Sequence, residues 1–350
     1  MSHQIPPSAT TPHAFDVAII GAGPTGLFAV FELGLLGLNA VLIDTLDKPG
    51  GQCAELYPEK PIYDIPSWPV ISGQELTDKL LEQIAPFAPH FALSRLVTHL
   101  GKRPDGRFVV HTNAGDVFDA AAVFIAAGAG SFTPRRPKLD GLEAFENRSV
   151  FYAVRNRAEF TGRDLLIVGG GDSALDWTLD LVKDVRSLTL VHRSDRFRAA
   201  PASIAAMQDL VAQGRLRFIE GELAGLEGEA GDLRAVRLKN KEGLQTLAVD
   251  RLLAFFGLNI ELGPIADWGL DLADGKQIKV DTEGFATSTQ GIFAIGDINH
   301  YPGKLKLILS GFHEAALASH AAFKIARPDQ KLRFQYTTSS SELQTRLKVA

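Results

Sequence analysis

The chain has 350 residues, of which 45% are hydrophobic and 22% are charged, and this composition predicts a globular protein with a sizeable core. Its 36 basic and 41 acidic side chains give a formal charge of −5, which excludes a protein that coats nucleic acid through overall positive charge. The single Cys excludes a disulfide scaffold and a cysteine-based zinc site, and it indicates a reducing compartment. At about 150 residues per domain, the length predicts two domains.

Neither of the two longest uncharged stretches, 17–31 and 120–134, has the roughly 20 apolar residues that a membrane-spanning helix needs. The first fifteen residues have no basic flank before an apolar core, so they read as a leader and not as a signal peptide. The nine His residues show no metal-binding spacing. We therefore expect a cytoplasmic protein with no metal, no membrane partner and no nucleic acid partner.

The first predicted element is a buried strand over Phe15–Ile20, and the glycine-rich segment Gly21–Gly26 follows it directly. An apolar helix to about Leu36 comes next, and then a second buried strand, Ala40–Ile43, which ends on Asp44. The order strand, glycine turn, helix, strand and acid is typical of a dinucleotide-binding fold.

Each residue type in this loop has a physical reason. Gly21 permits the tight turn, Gly23 lets backbone N–H groups approach a pyrophosphate, and Gly26 lets the helix pack close to the strand. The helix N-terminus faces the anion with unpaired donors and a positive dipole end. Asp44 lies 23 residues after Gly21, where its carboxylate can accept hydrogen bonds from a ribose. The segment predicts a site for FAD or NAD, whose ribose has a free 2′-hydroxyl.

The same order of elements recurs later in the chain. A strand over Asp164–Val168 leads into Gly169–Ala174, and an apparent helix and the strand Leu188–Val191 follow. The two copies align with a shift of 148 residues. The aligned pairs are Gly21 with Gly169, Gly23 with Gly171, Gly26 with Ala174, and Asp44 with His192.

The second copy differs from the first at the position that is expected to contact the ribose. His192 and Arg193, followed by Arg196 and Arg198, offer cations in place of the acid. Guanidinium pairs with phosphate through forked hydrogen bonds, so this loop predicts a preference for NADPH over NADH. The alternative is that the cluster is a solvated loop. A hydrolase interpretation of Ser173 is not supported, because the final glycine of G-x-S-x-G is missing, and we assign Ser173 to the dinucleotide loop.

Two dinucleotide folds in one chain indicate a flavoprotein oxidoreductase, and further motifs point to one family. From Phe15 to about Ser340, the chain resembles ferredoxin–NADP⁺ reductases of the thioredoxin-reductase-like type. The segments that carry the resemblance are Gly50–Gln52, Glu55–Lys60, Tyr63–Ile65, Gly169–Trp177, Val191–Ala199, Gly291–Asp297 and Lys304–Ile308.

The resemblance implies an α/β fold with two Rossmann-like domains, in which the NADP domain is inserted in the FAD domain. The expected segments are 14–131 for the first part of the FAD domain, 132–264 for the NADP domain, and 265–350 for the second part, with a C-terminal tail over the flavin. The family often has a histidine in this tail, but here the stretch reads Gln335-Tyr336-Thr337-Thr338. We expect Tyr336 to stack on the flavin and hinder nicotinamide access until the tail moves.

The resemblance also implies the residues that bind the cofactors. Tyr57 is expected to stack on one flavin face, Gln52 and Phe132 to lie near the flavin, and Val97 to contact adenine through its backbone. No side chain is assigned as an acid, base or nucleophile. The remaining expected contacts are Gly21, Gly23, Thr25, Gly26, Asp44, Gly296, Asp297 and Thr338 for FAD, and Gly169, Gly171, Ser173, His192, Arg193 and Arg198 for NADP.

The activity that the resemblance implies is electron transfer between NADPH and ferredoxin or flavodoxin, by hydride transfer to FAD followed by one-electron steps. An NADPH oxidase or quinone reductase of diaphorase type, and a flavin-bound redox sensor, remain alternatives. Disulfide reduction is not expected, because the chain has no CxxC pair and Cys53 is interpreted as a packed residue. Related flavoproteins predict a homodimer. The candidates for a basic ferredoxin-docking face are Arg135, Arg136, Lys138, Lys304 and Lys306.

Overall fold

A computed structural model describes residues 13–332 and 340–346. Its helices are α1 (Pro24–Leu35), α2 (Gly51–Glu55), α3 (Gly73–Ile84), α4 (Asp172–Leu181), α5 (Pro201–Ala212), α6 (Ile308–Ala326) and α7 (Ser341–Arg346). Its strands are β1 (His13–Ile20), β2 (Ala40–Ile43), β3 (Pro61–Ile62), β4 (Ile71–Ser72), β5 (His90–Ala92), β6 (Val97–Lys102), β7 (Phe108–Thr112), β8 (Val117–Ile125), β9 (Ser131–Pro134), β10 (Val150–Phe151), β11 (Asp164–Val168), β12 (Ser187–His192), β13 (Arg217–Glu220), β14 (Glu222–Glu229), β15 (Asp232–Asn240), β16 (Gly243–Ala248), β17 (Arg251–Ala254), β18 (Leu258–Glu261), β19 (Leu272–Ala273), β20 (Gln277–Lys279), β21 (Ile292–Ala294) and β22 (Asn299–His300).

The chain divides into two compact units. The first contains the described parts of 1–131 and 260–350, and the second is the continuous segment Phe132–Asn259. The sequence predicts an NADP domain that ends at residue 264, and in the structure the second unit ends at Asn259. The reason is packing, because Leu262 and Ile265 are buried in the core of the first unit.

The first unit is built on a sheet whose strands run in the order β5-β2-β1-β8-β7-β6. The strands β5, β2, β1 and β8 are parallel, whereas β7 is antiparallel to both of its neighbours. The C-terminal half of β8 also pairs with β21 in parallel register, with Phe293 opposite Phe124. All nine residues of β8 are buried, as expected for a strand covered on both faces.

Alternate residues of β1 belong to different cores, because side chains alternate across a strand. Val17 and Ile19 face a cluster that includes residues of α1, α3 and α6. Ala18 and Ile20 face a second cluster, formed largely by strands and by residues 262–278. The helices α1 and α6 pack against each other in the first cluster, and this brings the N-terminus of α1 beside residues of α6.

The second unit contains a five-stranded parallel sheet in the order β10-β17-β11-β12-β13. Helix α4 connects β11 to β12, and α5 precedes β13. An antiparallel sheet, β14-β15-β16, follows and contributes Val236 and Leu238 to the core of this unit. Each unit therefore has the α/β architecture that the two glycine loops predict. No helix within the described residues has the length and apolar composition to cross a membrane.

Candidate functional site

The first glycine loop makes a sharp turn between β1 and α1. Gly21 has φ +111°, a conformation that favours glycine, and a Cβ there would lie 2.3 Å from the Ala126 carbonyl oxygen. Its N–H donates to the Ile43 carbonyl at 2.8 Å. A Cβ on Gly26 would lie 2.1 Å from the Gly21 carbonyl oxygen. Both glycines are therefore required by close backbone packing.

The N-terminus of α1 has the features of an anion site. Its N-cap is Gly23, which supplies no side-chain hydrogen bond, and the first turn contains no acidic residue. The first N–H groups of a helix have no partner within the helix, and the helix dipole favours negative charge there. This arrangement fits the pyrophosphate of a dinucleotide.

Asp44 follows β2 and lies beside the glycine loop. Its Oδ2 accepts the Ala22 N–H at 2.6 Å, and its Oδ1 accepts the Leu46 N–H at 2.8 Å. Burial raises the pKa of Asp44, whereas these backbone hydrogen bonds act in the opposite direction. A carboxylate oxygen can accept more than one hydrogen bond, so Asp44 can hold the loop and still accept a ribose hydroxyl.

The segment Gly50–Gln52 packs directly on the first glycine loop. The Gly50 N–H donates to the Ala22 carbonyl at 2.8 Å, and a Cβ on Gly51 would lie 3.0 Å from the Gly23 Cα. Gln52 lies next to the turn after β8, because a Cβ on Gly128 would be 3.8 Å from the Gln52 Nε2 atom. The structure thus brings Gln52 to the same edge of the sheet as the glycine loop.

Cys53 and Tyr57, which follow this segment in the chain, are in contact, and Asp297 lies near both. The Cys53 thiol donates to the Tyr57 hydroxyl, with 3.7 Å between sulfur and oxygen. Burial raises the pKa of Cys53 to about 11 and also raises the pKa of Tyr57, and the charge of Asp297 contributes to both shifts. The pKa of Asp297 is itself raised by burial. A thiol with this pKa stays protonated at neutral pH and is a poor nucleophile.

Thr25, in the first turn of α1, contacts two glycines of the C-terminal segment. A Cβ on Gly296 would lie 3.1 Å from the Thr25 Oγ1 atom, and one on Gly311 would lie 2.2 Å from it. The structure therefore brings Thr25, Gly296 and Asp297 together.

The structure does not describe the expected FAD contacts of four other residues. Val97 is 4% exposed and packs in the second core cluster of the first unit, so its expected backbone contact with adenine stays a prediction. Phe132 lies in β9, but its side chain is outside the described residues. Tyr336 and Thr338 are also outside the described residues, so their assignments stay predictions.

The second glycine loop repeats the turn in the second unit. Gly169 has φ +154°, its N–H donates to the Val191 carbonyl at 3.0 Å, and a Cβ there would lie 2.7 Å from the Phe255 carbonyl oxygen. Gly171 is the N-cap of α4 and makes no side-chain cap, and space around it is open within 4 Å. Ser173 is exposed in the first turn of α4. Unlike α1, α4 has an acidic residue, Asp172, in its first turn, so its N-terminus offers a pyrophosphate free N–H groups together with a nearby negative charge.

His192 packs against the second glycine loop. Its ring packs over Gly170, where a Cβ would come within 2.4 Å of the ring atoms, and its Nε2 lies 3.2 Å from the Arg196 carbonyl oxygen. Burial, with the charges of Arg193 and Arg198, lowers the pKa of His192, against the opposing effect of the bond to Arg196. The lowered pKa favours the neutral ring at pH 7, so the positive charge of this loop comes from its arginines.

The three arginines of this loop are exposed, and none of them forms an ion pair with another described residue. The loop returns to the glycine turn, since the Arg198 N–H donates to the Gly170 carbonyl at 2.7 Å. Asp172 fixes the other end by accepting the Ala200 N–H at 2.9 Å. Charged side chains therefore border the second glycine loop with their guanidinium groups available to an anion.

Lys304 and Glu314 form a buried ion pair in the first unit that the sequence does not predict. Lys304, a candidate for the docking face, has a side chain that is only 4% exposed and is paired with Glu314, which is fully buried. It cannot dock a partner protein. Glu314 is the one charged residue on the buried face of α6, and a carboxylate at such a position is the signal by which the sequence could indicate it.

Comparisons with known proteins identify the family of this chain. The family model of pyridine nucleotide-disulphide oxidoreductases matches residues 15–322. A ferredoxin–NADP reductase of Parvibaculum lavamentivorans is 57% identical over 96% of this chain and 98% of its own length. A ferredoxin–NADP reductase of Beijerinckia indica is 58% identical over 95% of this chain and 98% of its own length.

Solved structures show the same fold. The thioredoxin reductase of Lactococcus lactis has a TM-score of 0.73 and 27% identity, over 89% of this chain and 99% of that one. The thioredoxin reductase of T. acidophilum also has a TM-score of 0.73, with 21% identity over 89% of this chain and 98% of that one. The family resemblance and the α/β fold class that the sequence predicts are confirmed. The chain therefore belongs to the pyridine nucleotide-disulphide oxidoreductase family and, within it, to the ferredoxin–NADP reductases.

Proposed function

We propose that this chain is a flavoenzyme that transfers electrons between NADPH and ferredoxin. The observation that carries the proposal is the pair of glycine loops, one bordered by the carboxylate of Asp44 and the other by the guanidinium groups of Arg193 and Arg198. The chain matches relatives named ferredoxin–NADP reductase over almost their full length. Its two loops offer one binding site for each of two different dinucleotides.

The first unit would hold FAD. Its pyrophosphate would lie at the N-terminus of α1, next to Thr25, and its adenosine ribose would meet Asp44. Gln52, Tyr57 and Asp297 would border the flavin end, and Val97 would contact adenine through its backbone. Phe132, Tyr336 and Thr338 are further proposed contacts of the flavin. When bound, FAD supplies the chemistry that joins a two-electron hydride donor to a one-electron acceptor.

The second unit would hold NADPH. The N-terminus of α4, with Gly169, Gly171 and Ser173, would face the pyrophosphate. Arg193 and Arg198 would bind the 2′-phosphate. The His192 ring, whose pKa is lowered, would instead pack against Gly170 of the glycine loop. A carboxylate at this position would repel the phosphate, so the exchange of Asp for His and Arg sets the choice of nucleotide.

Ferredoxin is the proposed acceptor, and flavodoxin is a second one. Acidic partners are attracted by exposed basic side chains, and Lys306 and Lys138 are exposed. Arg136 is engaged by Glu146, with 2.7 Å between the Arg136 Nε and a carboxylate oxygen, which reduces the charge it offers. A cytoplasmic homodimer completes the proposal. The single buried cysteine supports a reducing compartment.

The acceptor is tested by steady-state turnover of the purified holoenzyme with NADPH and, in separate assays, ferredoxin, flavodoxin, a quinone or oxygen. We expect ferredoxin to give the highest kcat/KM and its rate to fall as salt rises from 50 to 500 mM, because screening weakens attraction between charged surfaces. A quinone or oxygen turned over as well as ferredoxin would favour the diaphorase alternative. Flavin that NADPH cannot reduce would favour the redox sensor.

A further inference from the structure

The buried ion pair of Lys304 and Glu314 lies next to the turn that contains Asp297. The side chain of Glu314, on α6, is 0% exposed and that of Lys304 is 4% exposed, and the Glu314 Oε1 and Lys304 Nζ atoms are in contact. Two charges are costly to remove from water, and their attraction compensates only where the remaining hydrogen bonds are complete. The other partners of the pair therefore indicate its role.

The Glu314 carboxylate accepts from four donors, two on each oxygen. Its Oε2 accepts the Gly296 N–H at 2.7 Å and the Asn299 amide at 2.8 Å. Its Oε1 accepts the Tyr301 hydroxyl at 3.0 Å and the Lys304 ammonium. The four lone-pair positions of the carboxylate are thus all used, so it can accept no ligand and acts only on its protein neighbours.

The neighbour that matters for the site is Gly296. It has φ +79°, a left-handed conformation that favours glycine, and the next residue is Asp297. The hydrogen bond from the Gly296 N–H to Glu314 fixes the peptide group that joins Gly296 to the residue before it. This sets the direction in which the chain continues into Asp297. The ion pair also acts on Asp297: burial raises the pKa of that carboxyl, the charges of Lys304 and Lys306 act to lower it, and the charge of Glu314 acts to raise it.

The same face of α6 supports Thr25. Gly311 lies three residues before Glu314, on the same side of the helix, and a Cβ on it would be 2.2 Å from the Thr25 Oγ1 atom. Thr25 is also in contact range of Gly296. One helix face therefore fits against both the first turn of α1 and the turn before Asp297.

We propose that Glu314, with its charge balanced by Lys304, is a positioning residue for FAD. It does not touch the cofactor. It fixes Gly296 and thereby directs Asp297 toward the bound FAD, next to Thr25. The inference rests on the proposed FAD site of the first unit.

The test compares FAD binding to the apoprotein forms of the wild type, E314Q, E314D and a matched control, D119N. Asp119 is also a buried carboxylate of the first unit, 7% exposed and paired with Arg103 at 2.7 Å. It lies six residues before the end of β8, about 20 Å along the strand from the cofactor edge of the sheet. FAD affinity is measured by quenching of flavin fluorescence, and thermal unfolding of each apoprotein is measured alongside.

We expect E314Q to weaken FAD binding at least tenfold, because it leaves Lys304 without its anionic partner. E314D keeps the charge but withdraws it from Gly296 by one methylene, and we expect a loss of at least fivefold together with a changed visible circular dichroism of the bound flavin. D119N is expected to lower the apoprotein Tm by a comparable amount and to bind FAD within twofold of wild type. If E314Q does not fold, E314D carries the same comparison.

The proposal is overturned if E314D, with or without a folded E314Q, binds FAD within twofold of wild type with an unchanged flavin spectrum. It is also overturned if D119N weakens FAD binding as much as the Glu314 variants, since the effect would then be one of general stability. A wild-type apoprotein that takes up no FAD would overturn the FAD proposal itself. Normal uptake with no effect at Glu314 would overturn only the positioning role.

Discussion

Single residues account for the difference between the two dinucleotide loops. After β2 stands Asp44, whose carboxylate is bonded to the Ala22 N–H at 2.6 Å. At the end of β12 stands His192, whose pKa is lowered by burial and whose ring packs on Gly170, while the adjacent arginines supply the charge. The first positive charge of the second loop is therefore that of Arg193, one residue after the position that aligns with Asp44. The preference for NADPH is expected to depend on the arginines.

Replacing Arg193 with Ala is expected to raise the KM for NADPH about 10- to 100-fold and to leave the KM for NADH nearly unchanged. The reason is the loss of a charge-assisted hydrogen bond to the 2′-phosphate, worth about 1.5–3 kcal/mol. Steady-state kinetics with both nucleotides measure the effect. R215A is the matched control, because Arg215 is an exposed arginine of the same unit after α5. Equal loss with NADPH and NADH would contradict the assignment.

Cys53 is expected to be chemically inert in the folded enzyme. Its pKa is raised to about 11 by burial, so the neutral thiol is the form present at every pH well below 11. Iodoacetamide at pH 8 should leave the native protein unlabelled over an hour and label it within minutes in 6 M urea. C53S is expected to keep NADPH-dependent ferredoxin reduction within twofold. Rapid labelling of the native protein would refute this.

At the scale of elements, the two loops differ in how closely the helix approaches the strand. In the first, a Cβ on Gly26 would lie 2.1 Å from the Gly21 carbonyl oxygen, so α1 must sit against the turn. In the second, Ala174 occupies the equivalent position and is fully buried, so α4 leaves room for one methyl group. The same supersecondary unit is built at two different spacings.

Gly26→Ala is therefore expected to destabilise the protein by several kcal/mol and to yield enzyme without bound flavin, because the added methyl must push α1 away from β1. The reciprocal change, Ala174→Gly, should cost only about 1 kcal/mol from helix propensity. Thermal unfolding and the flavin content of the purified protein measure both effects. A G26A protein that retains its flavin and its Tm would show that α1 can move.

The glycine loops could be predicted from the sequence because a short motif and its two flanking strands define them locally. The environment of Glu314 could not, since its donors Gly296 and Asn299 lie 18 and 15 residues away and meet it only through packing of α6. The burial of Lys304 could not be predicted either, because a lysine within KLKLI reads as an exposed charge. Contacts between elements decide which partners such residues meet, and the identity of those partners leaves no local pattern.

At the scale of the whole molecule, one continuous segment, Phe132–Asn259, is inserted into a unit made from the two ends of the chain. The inserted segment has its own hydrophobic core, which includes Leu166, Val191 and Val236. The first unit instead needs both of its chain segments, because β21 completes the pairing of β8. The two units are thus expected to differ in their ability to fold alone.

An isolated 132–259 protein is expected to unfold cooperatively and to bind NADP⁺ but not FAD. Its core is complete within the segment, and the residues of the second loop lie inside it. Circular dichroism and calorimetric titration measure the two properties, with R193A in the same segment as a folded control that binds NADP⁺ weakly. A segment that binds FAD would contradict the division of the two sites.

The central claim is that electrons pass from NADPH to ferredoxin through flavin held by this chain, and anaerobic stopped-flow absorbance tests it most directly. NADPH is mixed with the oxidised holoenzyme, the flavin band near 450 nm is followed, and oxidised ferredoxin is then added. The account predicts that NADPH bleaches the flavin much faster than NADH does, and that ferredoxin restores its absorbance faster than a quinone or oxygen. Flavin that NADPH does not bleach, or that ferredoxin does not reoxidise, would contradict it.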